Sequence, residues 1–145
     1  AYEHKSPVKL ALGVHSGDHA IYPDCRPEFY DKIFDAFVSG NWDGHLVEKY
    51  LPYIDGDKLT ILKDAQISCS ELGIDFNIVL ANTSTSYDPD ENGNASGKTG
   101  SDIERILAFH DLGIKDPVPY IGGWEKALKN QLEVQKNYIN SKWLK

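Results

Sequence analysis

The sequence predicts an α/β fold, and three stretches carry that expectation. Val8 to Val14 is apolar except for Lys9, the pattern of a strand covered on both faces. A polar loop follows and gives way at Pro27 to a helical stripe of Phe29, Ile33, Phe34, Phe37 and Val38. Leu46 to Tyr53 then offers a second short strand, ending at Pro52.

Each element has its own local reason. Pro27 suits the first position of a helix, where its missing N–H costs nothing, and Ser39-Gly40-Asn41 closes that helix. After the turn Asp55-Gly56-Asp57, Leu62, Ala65, Cys69 and Leu72 mark one face of a second helix, which Gly73 terminates. Phe76 to Leu80 is apolar but too short to assign. Residues 82 to 100 form a polar loop rich in Asn and Gly. Ser101-Asp102-Ile103-Glu104 has capping-box spacing and opens a helix that runs to Gly113. Asp116-Pro117-Val118-Pro119 is a spacer that cannot be helical. A last helix, 124–143, carries Leu128, Leu132 and Ile139 on one side.

Composition narrows the function classes. At 145 residues the chain is expected to be one α/β unit with room for a core. The net charge of −7 argues against direct binding to nucleic acid or to an anionic membrane. Cys25 and Cys69 are too few for a disulfide framework, and no leader or membrane span is evident, so the cytoplasm is the expected location. No Met opens the chain, and Ala1 to Lys5 reads like the tail of a helix. The unit is therefore expected to be incomplete at its amino-terminal side.

The richest stretch lies between the first strand and the first helix. His15, Asp18, His19, Tyr22, Asp24, Cys25 and Arg26 crowd one loop, and loops at the carboxyl ends of strands are where α/β folds bind ligands. His15, Asp18, His19 and Asp24 are donor types for a metal, but their spacing matches no specific metal motif. The plainer reading is a hydrogen-bonded loop with its acids fixing turns. Arg26 is a fork for carboxylate or phosphate, or else an ion-pair partner of Asp24 or Glu28. Cys25 reads as a packed thiol rather than a nucleophile. Gly93 to Thr99 resembles a phosphate loop but is one residue too short before Gly97-Lys98-Thr99. Asp88, Asp90 and Asn92, with Gly93 after them, have the spacing that opens a calcium loop. Thr99 stands where that loop needs a bidentate acid, which favours a solvated acidic turn.

Gly13-Val14, Asp18 and Tyr22-Pro23-Asp24-Cys25-Arg26 with Glu28-Phe29 resemble the 7-cyano-7-deazaguanine synthases. The likeness continues at Pro52, Lys58, Thr85-Ser86-Tyr87, Ser96 to Arg105 and Asp116 to Tyr120. It implies the carboxyl-terminal part of an adenine-nucleotide alpha-hydrolase-like (PP-loop) parallel-sheet domain, plus a small helical tail. The implied reaction is adenylation of 7-carboxy-7-deazaguanine by ATP, with magnesium, then amidation and dehydration to the nitrile. Asp18, His19, Tyr22, Asp24, Arg26 and Lys58 are the implied substrate-binding set. Asp18 and Asp24 would accept from the base, Arg26 and Lys58 would hold carboxylate or phosphate, and Tyr22 would stack.

Two departures qualify the likeness. The family's Ser-Gly-Gly-x-Asp-Ser loop, which binds pyrophosphate, does not occur in these residues, so an amino-terminal half bearing it is the expected partner. The family also holds zinc with four Cys, and those positions here are Ser86, Ser96, Thr99 and Asp102, so zinc is not expected. A small-molecule 7-deazaguanine is the other expected partner, with homodimerisation left open. The rival readings are a non-catalytic deazaguanine- or nucleotide-binding homologue and a calcium-stabilised binding module.

Overall fold

The computed structural model describes residues 5–19 and 22–142, without the side chains of 138–142. The expected helix tail before Lys5, the side chain of Ile139 and the expected end at Trp143 lie outside what is described. The described residues fall into two compact units, one within 1–60 and one within 61–145.

The first unit is a strand–helix–strand crossover. Strand β1 (Val8–Ala11) pairs in parallel with β2 (Val47–Tyr50), Val8 opposite Val47 and Ala11 opposite Tyr50. Between them run two 3-10 turns, Ser16–Asp18 and Pro23–Cys25, and helix α1 (Pro27–Gly40). Pro27 does open α1. Asn41 closes it by donating its side-chain amide to the carbonyl of Phe37 at 2.9 Å. The return to β2 passes Gly44, where any Cβ would lie 2.5 Å from the Val38 carbonyl oxygen, so only glycine fits.

β1 is shorter than expected, and it is not covered. Leu12 adds one more bond to the Tyr50 carbonyl, and then the chain leaves the sheet. Val8 and Leu10 remain 38% and 46% exposed, because β2 is the single partner strand among the described residues. Of the α1 stripe, Phe34 alone is buried, and Phe29, Ile33, Phe37 and Val38 stay exposed.

The second unit holds the core. Helix α2 (Lys58–Leu72) leads into it, followed by α3 (Phe76–Ala81), α4 (Gly100–Asp111) and α5 (Trp124–Lys142). Gly73 and Gly113 end α2 and α4 in the same way, at φ +66° and +77°. The amides one residue on, Ile74 and Ile114, reach back to the carbonyls of Cys69 and Phe109. Residues 76–80, unassigned from sequence, are helical because Asp75 caps them, its carboxylate accepting from the Ile78 amide at 3.0 Å. Ile106 and Phe109 are fully enclosed, and Leu62, Cys69, Leu80, Val118 and Trp124 are buried as well. The chain ties its irregular stretches together by a bridge between Ala95 and Tyr120.

Three helix expectations need correction. Leu72 is 71% exposed, since the chain turns at Gly73 before that face meets a neighbour. The cap of α4 is Thr99, not Ser101 with Glu104, because Thr99 Oγ1 accepts from the Asp102 amide and the helix starts two residues earlier. On α5 the buried line is Trp124, Ala127 and Gln131, one step round from Leu128 and Leu132. Among the described residues no helix is long and apolar enough to cross a membrane.

Candidate functional site

The loop after β1 is built by its own backbone. Ser16 fastens it to the turn before α2, its amide and hydroxyl both reaching the Gly56 carbonyl, at 2.9 and 2.6 Å. Tyr22 then donates its amide to the Asp18 carbonyl at 2.8 Å, and Cys25 its amide to Tyr22 at 3.0 Å. These turns keep Tyr22, Asp24 and Arg26 exposed, while Asp18, His19 and Lys58 are half-buried.

His15 is the pivot of this loop. Its ring is buried, and its Nε2 lies 3.2 Å from Asp18 Oδ2 and 3.2 Å from Lys58 Nζ. One ring nitrogen cannot donate to the carboxylate and accept from the ammonium at once. The tautomer therefore decides which neighbour it serves, and its Nδ1 has no protein partner. Asp57 positions Lys58 by capping α2, accepting from the Thr60 amide at 2.7 Å.

The other loop residues are arranged separately. Arg26 Nε donates to the His19 carbonyl at 2.9 Å, and no ion pair to Asp24 or Glu28 forms among the described residues. His19 leaves its Nε2 buried without a partner. Burial, and then the carboxylates of Asp18 and Asp24, push the Cys25 thiol above its ordinary range. A thiol so disfavoured as thiolate is a poor nucleophile, in line with the packed reading.

In the second unit, Ser86 and Ser96 meet at the Asp102 carboxylate although sixteen residues separate Ser86 from Asp102, and Thr99 takes the Asp102 amide. Asp102 Oδ2 accepts from Ser86 Oγ at 3.0 Å, Ser96 Oγ at 3.1 Å and the Gly97 amide at 3.0 Å. Nearby, Asp90 accepts from the amides of Asn92 and Asn94, at 2.9 and 2.8 Å, and from the Asn94 side chain at 2.8 Å. The Asn94 side chain foremost, then the backbone amides, hold the Asp90 carboxyl below its usual range. Asp88 lies exposed at the start of this turn.

Sequence reasoning missed the charge buried deepest. Arg105 grips Asp116 with two bonds, and also reaches Thr83 Oγ1 at 2.8 Å and the Leu80 carbonyl at 3.0 Å. Tyr120 adds its hydroxyl to Asp116 at 2.7 Å. The available signal was an arginine between Ile103 and Ile106 on an apolar helix, and an acid just before two prolines that cannot donate.

A parallel strand pair joined through a helix, with a polar loop at the carboxyl end of the first strand, defines an α/β protein. Comparison with known proteins gives the family. Residues 2–113 match the model of "Queuosine biosynthesis protein QueC", and the chain belongs to that family. It is similar to "7-cyano-7-deazaguanine synthase 1" of Colwellia psychrerythraea strain 34H, 44% identical over 112 residues. That match takes in 77% of this chain and 46% of the relative. The "7-cyano-7-deazaguanine synthase" of Psychromonas ingrahamii is 43% identical over 77% of this chain and 45% of its own length. The one of Caldicellulosiruptor saccharolyticus is 39% identical over 77% and 44%. The chain thus spans a little under half the length of the relatives it matches. No solved structure matches it significantly.

Proposed function

We propose that this chain supplies the substrate-facing, carboxyl-terminal part of an ATP-dependent 7-cyano-7-deazaguanine synthase of the PP-loop superfamily. The observation that carries the reading is the 112-residue match, 38–44% identical, to relatives bearing that name. The substrate is then 7-carboxy-7-deazaguanine, and the product its nitrile. Hydroxide leaves a carboxylate poorly, and ATP, bound with magnesium, converts that oxygen into a good leaving group.

In this reading the residues of this chain recognise and orient. Asp18 and Asp24 accept hydrogen bonds from the amino and ring N–H groups of the base. Arg26, turned outward by the His19 carbonyl, and Lys58, steadied by Asp57, hold the carboxylate. His15 keeps Asp18 and Lys58 close to one nitrogen, so an acceptor and a cation stand at a set separation. Tyr22, exposed at the rim, stacks on the ring.

The pyrophosphate grip belongs to an amino-terminal half bearing Ser-Gly-Gly-x-Asp-Ser. What supports a partner on the first unit is its unfinished sheet. Parallel sheets are found with both faces covered, yet β1 and the α1 stripe apart from Phe34 lie exposed. A cytoplasmic location, where ATP is plentiful, goes with this reading.

The test uses the native gene product, its extent settled by intact mass and amino-terminal sequencing. Incubated with 7-carboxy-7-deazaguanine, ATP, magnesium and ammonia, it should yield the amide and nitrile by mass spectrometry, with AMP. A native particle that contains the pyrophosphate loop and makes neither product overturns the reading.

A further inference from the structure

The resemblance assigns a tetrathiolate zinc to positions 86, 96, 99 and 102, and the residues there do not fit one. Serine and threonine hydroxyls stay protonated near neutral pH, so Asp102 is the one anionic donor of the four. The hydroxyls are also committed. Ser86 and Ser96 both direct their protons at Asp102 Oδ2, at 3.0 and 3.1 Å. Their oxygens accept in turn from the amides of Ser96 at 3.3 Å and Lys98 at 3.2 Å. Thr99 Oγ1 accepts from the Asp102 amide at 3.2 Å. A cation placed among these oxygens would have to turn both serine protons away and undo the bonds that gather them.

We infer that the Asp102 carboxylate is a metal-free clasp that fastens the 86–99 loop to the amino end of α4. It inverts the polarity of a zinc knuckle. A metal site has a cation at its centre and anionic ligands around it; here an anion sits at the centre and three donors point inward. Both arrangements serve one end, which is to order a polar loop that has little apolar surface to bury. Asp102 suits the central place because it is 1% exposed, which strengthens each bond to it. It also lies in the first turn of α4, where the helix dipole favours negative charge. Gly97 is drawn in from the other side, its carbonyl accepting from Gln131 of α5 at 2.5 Å, so the clasp also reaches the last helix. The second carboxylate oxygen, Oδ1, is buried with no protein partner. A hard cation competing with this account would bind there.

The test needs the full chain and no knowledge of its reaction. Elemental analysis should find no stoichiometric zinc, calcium or magnesium, and the melting temperature should not move with EDTA or with any of the three ions. A stoichiometric ion, or a melting temperature raised by one of them and lowered by chelator, overturns the clasp. Ser86→Ala and Asp102→Asn, each assayed alone, should lower the melting temperature by about 4 °C or more, equally with and without EDTA. Unchanged melting of both variants would also overturn it. Finally, Ser86→Cys, Ser96→Cys, Thr99→Cys and Asp102→Cys combined should bind cobalt with thiolate charge-transfer absorption, while the parent chain shows none. A parent chain that gives a cobalt spectrum equal to that of the variant sinks the proposal.

Discussion

Arg105 and Asp116 meet as a two-pronged ion pair in the core of the second unit, Nε to Oδ2 at 2.6 Å and Nη2 to Oδ1 at 2.9 Å. The side chain of Asp116 is wholly enclosed and that of Arg105 is 7% exposed. Every remaining acceptor position is used. Asp116 takes the Val118 amide at 3.0 Å and the Tyr120 hydroxyl, while Arg105 ties down the end of α3 through Leu80. The guanidinium also lies 5.3 Å from the Phe109 ring centroid. One pair thus holds α3, α4 and the 116–120 segment together.

Removing one member should cost far more than removing both. Asp116→Ala leaves a buried guanidinium without its counter-charge and should destabilise the unit by about 3–5 kcal/mol. Combining Arg105→Met with Asp116→Leu should recover part of that loss, since neither charge then remains to be desolvated, while the Val118 amide and the Tyr120 hydroxyl still lack their acceptor. Urea unfolding of the three chains measures both effects. Equal losses in single and double variants would mean that the pair is not what ties these elements.

Tyr120 should make the second unit sensitive to alkali. Burial, and then the hydrogen bond to Asp116, push its hydroxyl far above the ordinary value of 10.0. As pH rises past that value the unfolded chain releases a proton that the folded chain keeps, so stability is full below it and falls above it. Tyr120→Phe should remove this slope, and should cost about 1.5–3 kcal/mol near neutral pH through loss of a bond to a charged acceptor. Denaturant midpoints across the alkaline range, for parent and variant, check the sign. A Tyr120→Phe chain with the parent slope would refute it.

Arg26 should matter for turnover and little for folding. It is exposed, and among the described residues its side chain bonds to a backbone carbonyl in its own loop. In the complete enzyme, Arg26→Ala should lose about 2 kcal/mol or more of transition-state stabilisation, with the melting temperature kept. Arg26→Lys should not restore it, because an ammonium cannot make the planar two-bond grip. If kinetics of Arg26→Ala match the parent within about twofold, the placement of the substrate carboxylate is wrong.

How much was legible from sequence depended on the range of the interaction. Pro27 opening α1 and Gly73 and Gly113 ending α2 and α4 follow from dihedral freedom within a few residues, while the parallel sheet was what the resemblance implied. The ligand-type loop was equally plain, since its residue types lie side by side. The family too was readable, because Tyr22 to Arg26 and the motifs after it occur in order along the chain.

What tertiary structure decided is which of those groups face one another. Nothing local tells that His15 reaches across 43 residues to Lys58, or that Asp116, by pattern a spacer, is the partner of Arg105. The same holds for coverage: β1 and the α1 stripe have the composition of buried elements, yet burial requires a neighbour, and the described residues supply one strand. At Ser86, Ser96, Thr99 and Asp102 the resemblance marks four linked positions, but not how the residues now standing there bond to one another. Only folding brings Ser86 to the carboxylate that Ser96 and Gly97 also reach, because that bond spans sixteen residues and no local turn dictates it.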